Sequence, residues 1–135
     1  MIFQINRKCK ELEDRTKNNS RDDEAFADWG SMLMHLSLVS EDQDAKKRHL
    51  DQSIEKLQKA IDIREDSVTS ENELALFSLG NAYYFKIFLE KDDDLAQQHL
   101  LSAKEKFEAA HMKDPTNTVY ASMIDQVRLF VVSVR

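Results

Sequence analysis

Residues 76–115 read LFSLGNAYYFKIFLEKDDDLAQQHLLSAKEKFEAAHMKDP, and the fold is decided there. Leu76, Leu79-Gly80 and Tyr83 have the spacing of one helix face. Ala103, Phe107 and Ala110 follow at i, i+4 and i+7 of a second helix, closed by Asp114-Pro115. Small residues stand where two helices would meet closely, beside large apolar ones. The pattern occurs twice. Shifting residues 21–70 by 50 places Gly30 on Gly80, Ala25 on Ala75, Asp44 on Asp94 and His49-Leu50 on His99-Leu100. Glu55-Lys56 falls on Glu105-Lys106 and Ala60 on Ala110. Phe26, Trp29, Leu33 and Leu57 fall on Leu76, Leu79, Tyr83 and Phe107 without a gap.

Each copy resembles a tetratricopeptide hairpin, in which Leu-Gly and Tyr mark the first helix and Ala-x3-Phe-x2-Ala the second. A repeat of about 34 residues would separate the two marks by about 9 positions. Tyr83 and Ala103 are 20 apart. About 11 inserted residues make about three helical turns, so a helical insert lengthens an arm and keeps the buried faces in register. Long arms with short acidic tips are therefore expected.

The whole 135-residue chain is read as one all-α domain. Two Gly and one Pro leave little material for the turns of a β fold. Helices are expected over residues 2–17, 21–39, 45–64, from about 70 to 90, 94–113 and 117–132. Repeat one spans about 21–65, repeat two about 71–115, and a capping helix about 117–132. Ser20 is expected to cap the second helix. Ser40 with Gln43, and Ser70 with Glu73, have capping-box spacing. Glu65 to Thr69 reads as a linker.

The net charge of −6 argues against binding to nucleic acid or to an anionic membrane, and for a basic partner. A single cysteine, Cys9, allows no internal disulfide. No signal peptide and no apolar run of membrane-spanning length is visible. The longest apolar stretch runs from Leu129 to Val134 on the last helix, a surface that wants a partner.

Enzymatic chemistry finds no foothold. His35, His49, His99 and His111 show no metal-ligand spacing, and two of them are repeat equivalents. With only Gly30 and Gly80, no phosphate-binding loop can form. Asp92, Asp93 and Asp94 belong to a solvated turn with nothing to split their acidities. No cofactor, metal or catalytic residue is expected. Lys46-Lys47-Arg48 lacks the interleaved aromatics of a nucleic-acid surface.

Two lengthened hairpins, a helix before and one after resemble the plant-type receptor subunit of the mitochondrial outer-membrane translocase. Trp29-Gly30, Gly80-Asn81-Ala82-Tyr83, Phe107, Ala109-Ala110, Asp114-Pro115, Asn117 and Tyr120 carry the resemblance. It implies a protein-import receptor that binds amphipathic targeting peptides or precursor proteins beside other translocase subunits. It implies the cytosolic face of the mitochondrial outer membrane, reached through an anchor that this chain lacks; without the resemblance the location would read as cytoplasmic. Taking Gly30 and Gly80 as equivalent, the peptide-binding residues expected on the first arms are Met34, His35, Leu38, Phe77, Asn81, Tyr84, Phe85 and Phe88. Ser31, Met123, Gln126 and Phe130 could contribute, with Glu24, Asp28 and Glu73 at an acidic rim. The competing role for each apolar one is plain packing. A carboxylate clamp for chaperone tails is disfavoured, because Ala27 and Ser31 cannot serve beside Asn81. A general interaction adaptor with another client is the alternative reading.

Overall fold

A computed structural model describes residues 1–65 and 72–134, with side chains to residue 130. Six helices run in the order α1 (Ile2–Asn18), α2 (Asp23–Val39), α3 (Gln43–Glu65), α4 (Glu73–Leu89), α5 (Asp93–Lys113) and α6 (Thr118–Val134). The described residues contain no strand. The all-α hairpin architecture expected from the repeats is the one observed. Two compact units divide the chain, Met1–Glu71 and Asn72–Arg135. Glu65, expected to open a linker, is the last residue of α3; the rest of that linker and the Ser70 cap lie outside the described residues.

In the first unit α2 packs antiparallel on α3, and α1 packs on α2. Leu12, Ala25, Leu33, Leu36, Leu50, Leu57, Ala60 and Ile61 are buried. Gly30 is where the arms touch: a Cβ there would lie 2.6 Å from Leu57 Cγ. Ser53 donates a buried 2.6 Å hydrogen bond to the Gly30 carbonyl. Trp29, whose register partner Leu79 is fully buried, is only half-buried. Its other side takes the Lys56 ammonium, 4.2 Å from the ring centroid.

The second unit repeats the plan. Phe107 fills the place of Leu57, and a Cβ on Gly80 would lie 2.6 Å from its ring. Both contacts join residues 27 apart, Gly30 to Leu57 and Gly80 to Phe107, which is the 50-residue register seen in space. The core is Ile87, Leu100, Ala103, Phe107, Ile124 and Val127. Leu95 and Val119 are exposed although apolar. Each stands in the first turn of its helix, where little of the core reaches.

The extra residues are helical: α3 has 23 residues and α5 has 21. The tips are short, Ser40–Asp42 and Glu90–Asp92. Caps differ from expectation. Asp22, not Ser20, accepts from the Ala25 amide at 3.0 Å. Ser40 donates instead to the Leu36 carbonyl, closing α2 rather than opening α3. Near α3 the Asp42 carboxylate faces the Asp44 amide at 3.4 Å. An anion suits a helix start better than a hydroxyl does, because it meets both the free amides and the dipole. Asp92 does the same for α5, accepting from Asp94 and Leu95.

Candidate functional site

Alternation of turns along α4 puts Phe77, Asn81, Tyr84 and Phe88 in a row, at spacings of four, three and four. The lower end of the row is packed. Phe77 packs at a tilt against Phe107 of α5, with ring centroids 5.6 Å apart, and against Tyr120 of α6 at 4.9 Å. It is therefore mainly a strut between three helices. The upper end is open. Tyr84 meets Phe88 edge-on at 5.3 Å, and Phe88 meets Phe130 of α6 edge-on at 5.6 Å. Phe88 nevertheless stays 60% exposed. Phe85, half-buried, stands 6.3 Å from Tyr84.

Three aromatic rings from two helices thus form one ledge on the second unit. Tyr84, Met123 and Phe130 rest on the core below it. Rings whose edges and faces already interlock keep their positions without a ligand. Asn81, half-buried beside them, makes no side-chain hydrogen bond among the described residues. Its amide is available to a ligand.

A buried pair holds the end of α4 behind the ledge. His99 Nε2 lies 3.3 Å from Glu90 Oε2, and both side chains are largely buried. His99 also stacks on Tyr83 at 6.4 Å. In the sequence His99 shows only as the repeat equivalent of His49, and its partner Glu90 is not evident there. The one trace is that the repeat register sets Glu90 against Ser40 while keeping both histidines. In the first unit His49 Nδ1 is buried with no hydrogen-bond partner among the described residues.

The remaining expected residues stand on α2. Met34 is half-buried, and His35 and Leu38 are exposed, Leu38 to 52%. Ser31 is half-buried; Glu24 and Asp28 are exposed, and Glu73 is half-buried in the first turn of α4. The structure brings Tyr84, Phe85, Phe88 and Phe130 together within the second unit. Met34, His35 and Leu38 share one face of the first unit's α2.

Cys9 is half-buried on α1, and burial raises its thiol pKa above the ordinary value. A thiol so placed stays protonated and unreactive near neutrality. Among the described residues no three His, Cys, Asp or Glu side chains converge to hold a metal ion. No described helix is long and apolar enough to cross a membrane.

A family profile described as the plant-specific mitochondrial import receptor subunit TOM20 matches residues 1–128. The chain is 32% identical over 116 residues to the mitochondrial import receptor subunit TOM20-2 of Arabidopsis thaliana, covering 86% of this chain and 52% of that protein. To TOM20-3 of the same plant it is 29% identical over 116 residues, covering 86% of this chain and 54% of the relative. The chain therefore spans about half the length of the curated relatives it matches. With a match over nearly its whole length and the lengthened hairpins found twice in space, the chain belongs to the plant-type TOM20 family of mitochondrial import receptor subunits.

Proposed function

We propose that this chain is the peptide-binding part of an import receptor for amphipathic mitochondrial targeting peptides, with no catalytic step. The observation that carries the reading is the ledge of Tyr84, Phe88 and Phe130, three interlocked rings of which Tyr84 and Phe130 are half-buried and Phe88 stays 60% exposed. An amphipathic helix needs such a surface: apolar area held rigid, so that little ordering entropy is lost on binding. Asn81 and Phe85 flank the ledge, while Phe77 supports it from below. Met34, His35 and Leu38 are proposed as further contacts on α2. The excess of acidic residues favours clients with a basic polar face. The family's name supports a place in mitochondrial import as one subunit among others, and the outer membrane and its translocase subunits are proposed with it. The two repeats with α1 and α6 are proposed to act as one binding domain.

The test is a titration with a basic amphipathic presequence peptide, followed by residue-resolved NMR. A scrambled peptide of equal charge is the control. Shifts centred on Asn81, Tyr84, Phe85 and Phe88, with the control silent, are expected. Equal shifts from the scrambled peptide would reduce the binding to charge alone and overturn the reading. Phe88→Ala should weaken the peptide about tenfold or more, as loss of a central aromatic anchor does. Its unfolding midpoint should hardly move, since the ring is mostly exposed.

A further inference from the structure

Helix α1 carries a second surface, which owes nothing to the peptide ledge. Its inner face is Ile5, Cys9, Leu12 and Thr16, at i, i+4, i+7 and i+11, each buried or half-buried. Phe3 lies two residues before Ile5, about 200° round the helix. It therefore points away from the unit's core and is 77% exposed. Arg7 and Lys10 follow it at i+4 and i+7 on the same outer face. Met1 and Ile2 add exposed apolar area at the same end.

The charge is segregated as well. Residues 1–10 hold three of the chain's 19 basic residues and none of its 25 acidic ones, so they carry +3 while the other 125 carry −9. Acidic side chains enter only from Glu11. Arg7 faces Glu11 at 3.8 Å and Lys10 faces Asp14 at 3.3 Å. Both pairs are highly exposed, and such pairs hold their partners weakly.

We propose that the outer face of the first half of α1 is a contact for an anionic lipid bilayer. A basic helix face bearing an aromatic ring suits that partner: the ring enters the headgroup boundary while the cations stay among the phosphates. The net charge of −6 works against an anionic surface at long range, but the segregated +3 of residues 1–10 prevails at close range. Screening over about 8–10 Å in physiological salt lets the surface feel the nearest charges first. With three cations and one ring the contact is reversible; it orients the protein rather than anchoring it.

The experiment is flotation of the full chain with vesicles. One set is pure phosphatidylcholine; the other contains about one-third phosphatidylserine, an anionic lipid. Binding to the anionic vesicles alone, weakening as salt rises, is expected. Arg7→Gln and Lys10→Gln should each lower the partition coefficient about fivefold, the effect of one cation near such a surface. Phe3→Ser should lower it as well, while Arg128→Gln on α6 should leave it unchanged. Circular dichroism must show each variant as helical as the parent. Absence of binding, or binding indifferent to the three α1 variants, would overturn the proposal. So would a change in sedimentation without vesicles on Phe3→Ser, which would assign the face to a second copy of the chain. Peptide affinity is read separately, so failure of either proposal leaves the other standing.

Discussion

At Gly80 the α4 backbone passes so close to Phe107 that a single methyl group would overlap the ring. Gly80→Ala should gain about 1 kcal/mol of helix propensity. It should lose more through overpacking, about 1–3 kcal/mol, because Phe107 is fully buried and its ring is rigid. A net loss in urea unfolding is the expected outcome. Gly30→Ala meets Leu57 Cγ at 2.6 Å and the Leu57 backbone nitrogen at 3.2 Å, and Leu57 is as buried as Phe107, so a comparable net loss is expected. A raised midpoint for either variant would overturn the argument. Ser53→Ala removes the buried hydrogen bond to the Gly30 carbonyl and should cost about 1 kcal/mol in the same assay. The second repeat lacks this bond, since Ala103 stands at the equivalent position. Its larger ring at residue 107 fills the hairpin by another route.

Helix ends are tied by charge. Arg64, near the end of α3, donates to Asp23 at the start of α2 over 2.7 Å. That hydrogen bond holds the Asp23 carboxyl below its ordinary pKa, with the Arg64 charge and the helix-start amides adding to it against the cost of burial. The folded-state pKa lies below the unfolded one. The contribution to stability is therefore complete above the ordinary carboxylate range, and it fades as pH falls through the depressed folded value. Asp23→Asn should lower the urea midpoint near pH 7 and converge on the parent as pH falls below the ordinary carboxylate range and through the depressed folded value. A constant gap at all pH values would mean that the amide loses packing rather than charge. Lys46 ties the opposite end of the first hairpin, donating to the Ser37 and Leu38 carbonyls at 3.3 Å. The second hairpin closes there with the buried Glu90–His99 pair instead.

For the chain taken whole, the sign of the charge and the apolar ledge should appear as two separate rate effects. A net charge of −6 speeds the approach of a basic peptide, and salt screens it. Raising salt from about 0.05 to about 0.3 M should slow association several-fold. Dissociation should change less, since apolar contact on Tyr84 and Phe88 governs it. Stopped-flow measurement on parent and Phe88→Ala separates the two: the variant should dissociate faster with its salt response intact. An unchanged dissociation rate would take Phe88 out of the proposed site.

Repetition made the fold legible in the sequence. The 50-residue register placed both glycines, their partners Leu57 and Phe107, and the helical character of the inserted residues, because close helix contact restricts size at fixed intervals. It could not rank the residues within one helix face. Phe77 and Phe88 share a row on α4 and look alike in sequence, yet one packs between three helices and the other stays open. What separates them is the course of α6, whose Tyr120 covers the first while Phe130 only edges the second. Caps were read from residue type, but Ser40 had a nearby carbonyl to satisfy and left α3 to a carboxylate. The sequence by itself determined the hairpins, their register and their close glycine contacts, which depend on residues a fixed number of turns apart. Tertiary structure alone decided which aromatic rings remain open to a ligand, because that depends on a third helix whose approach no local spacing encodes.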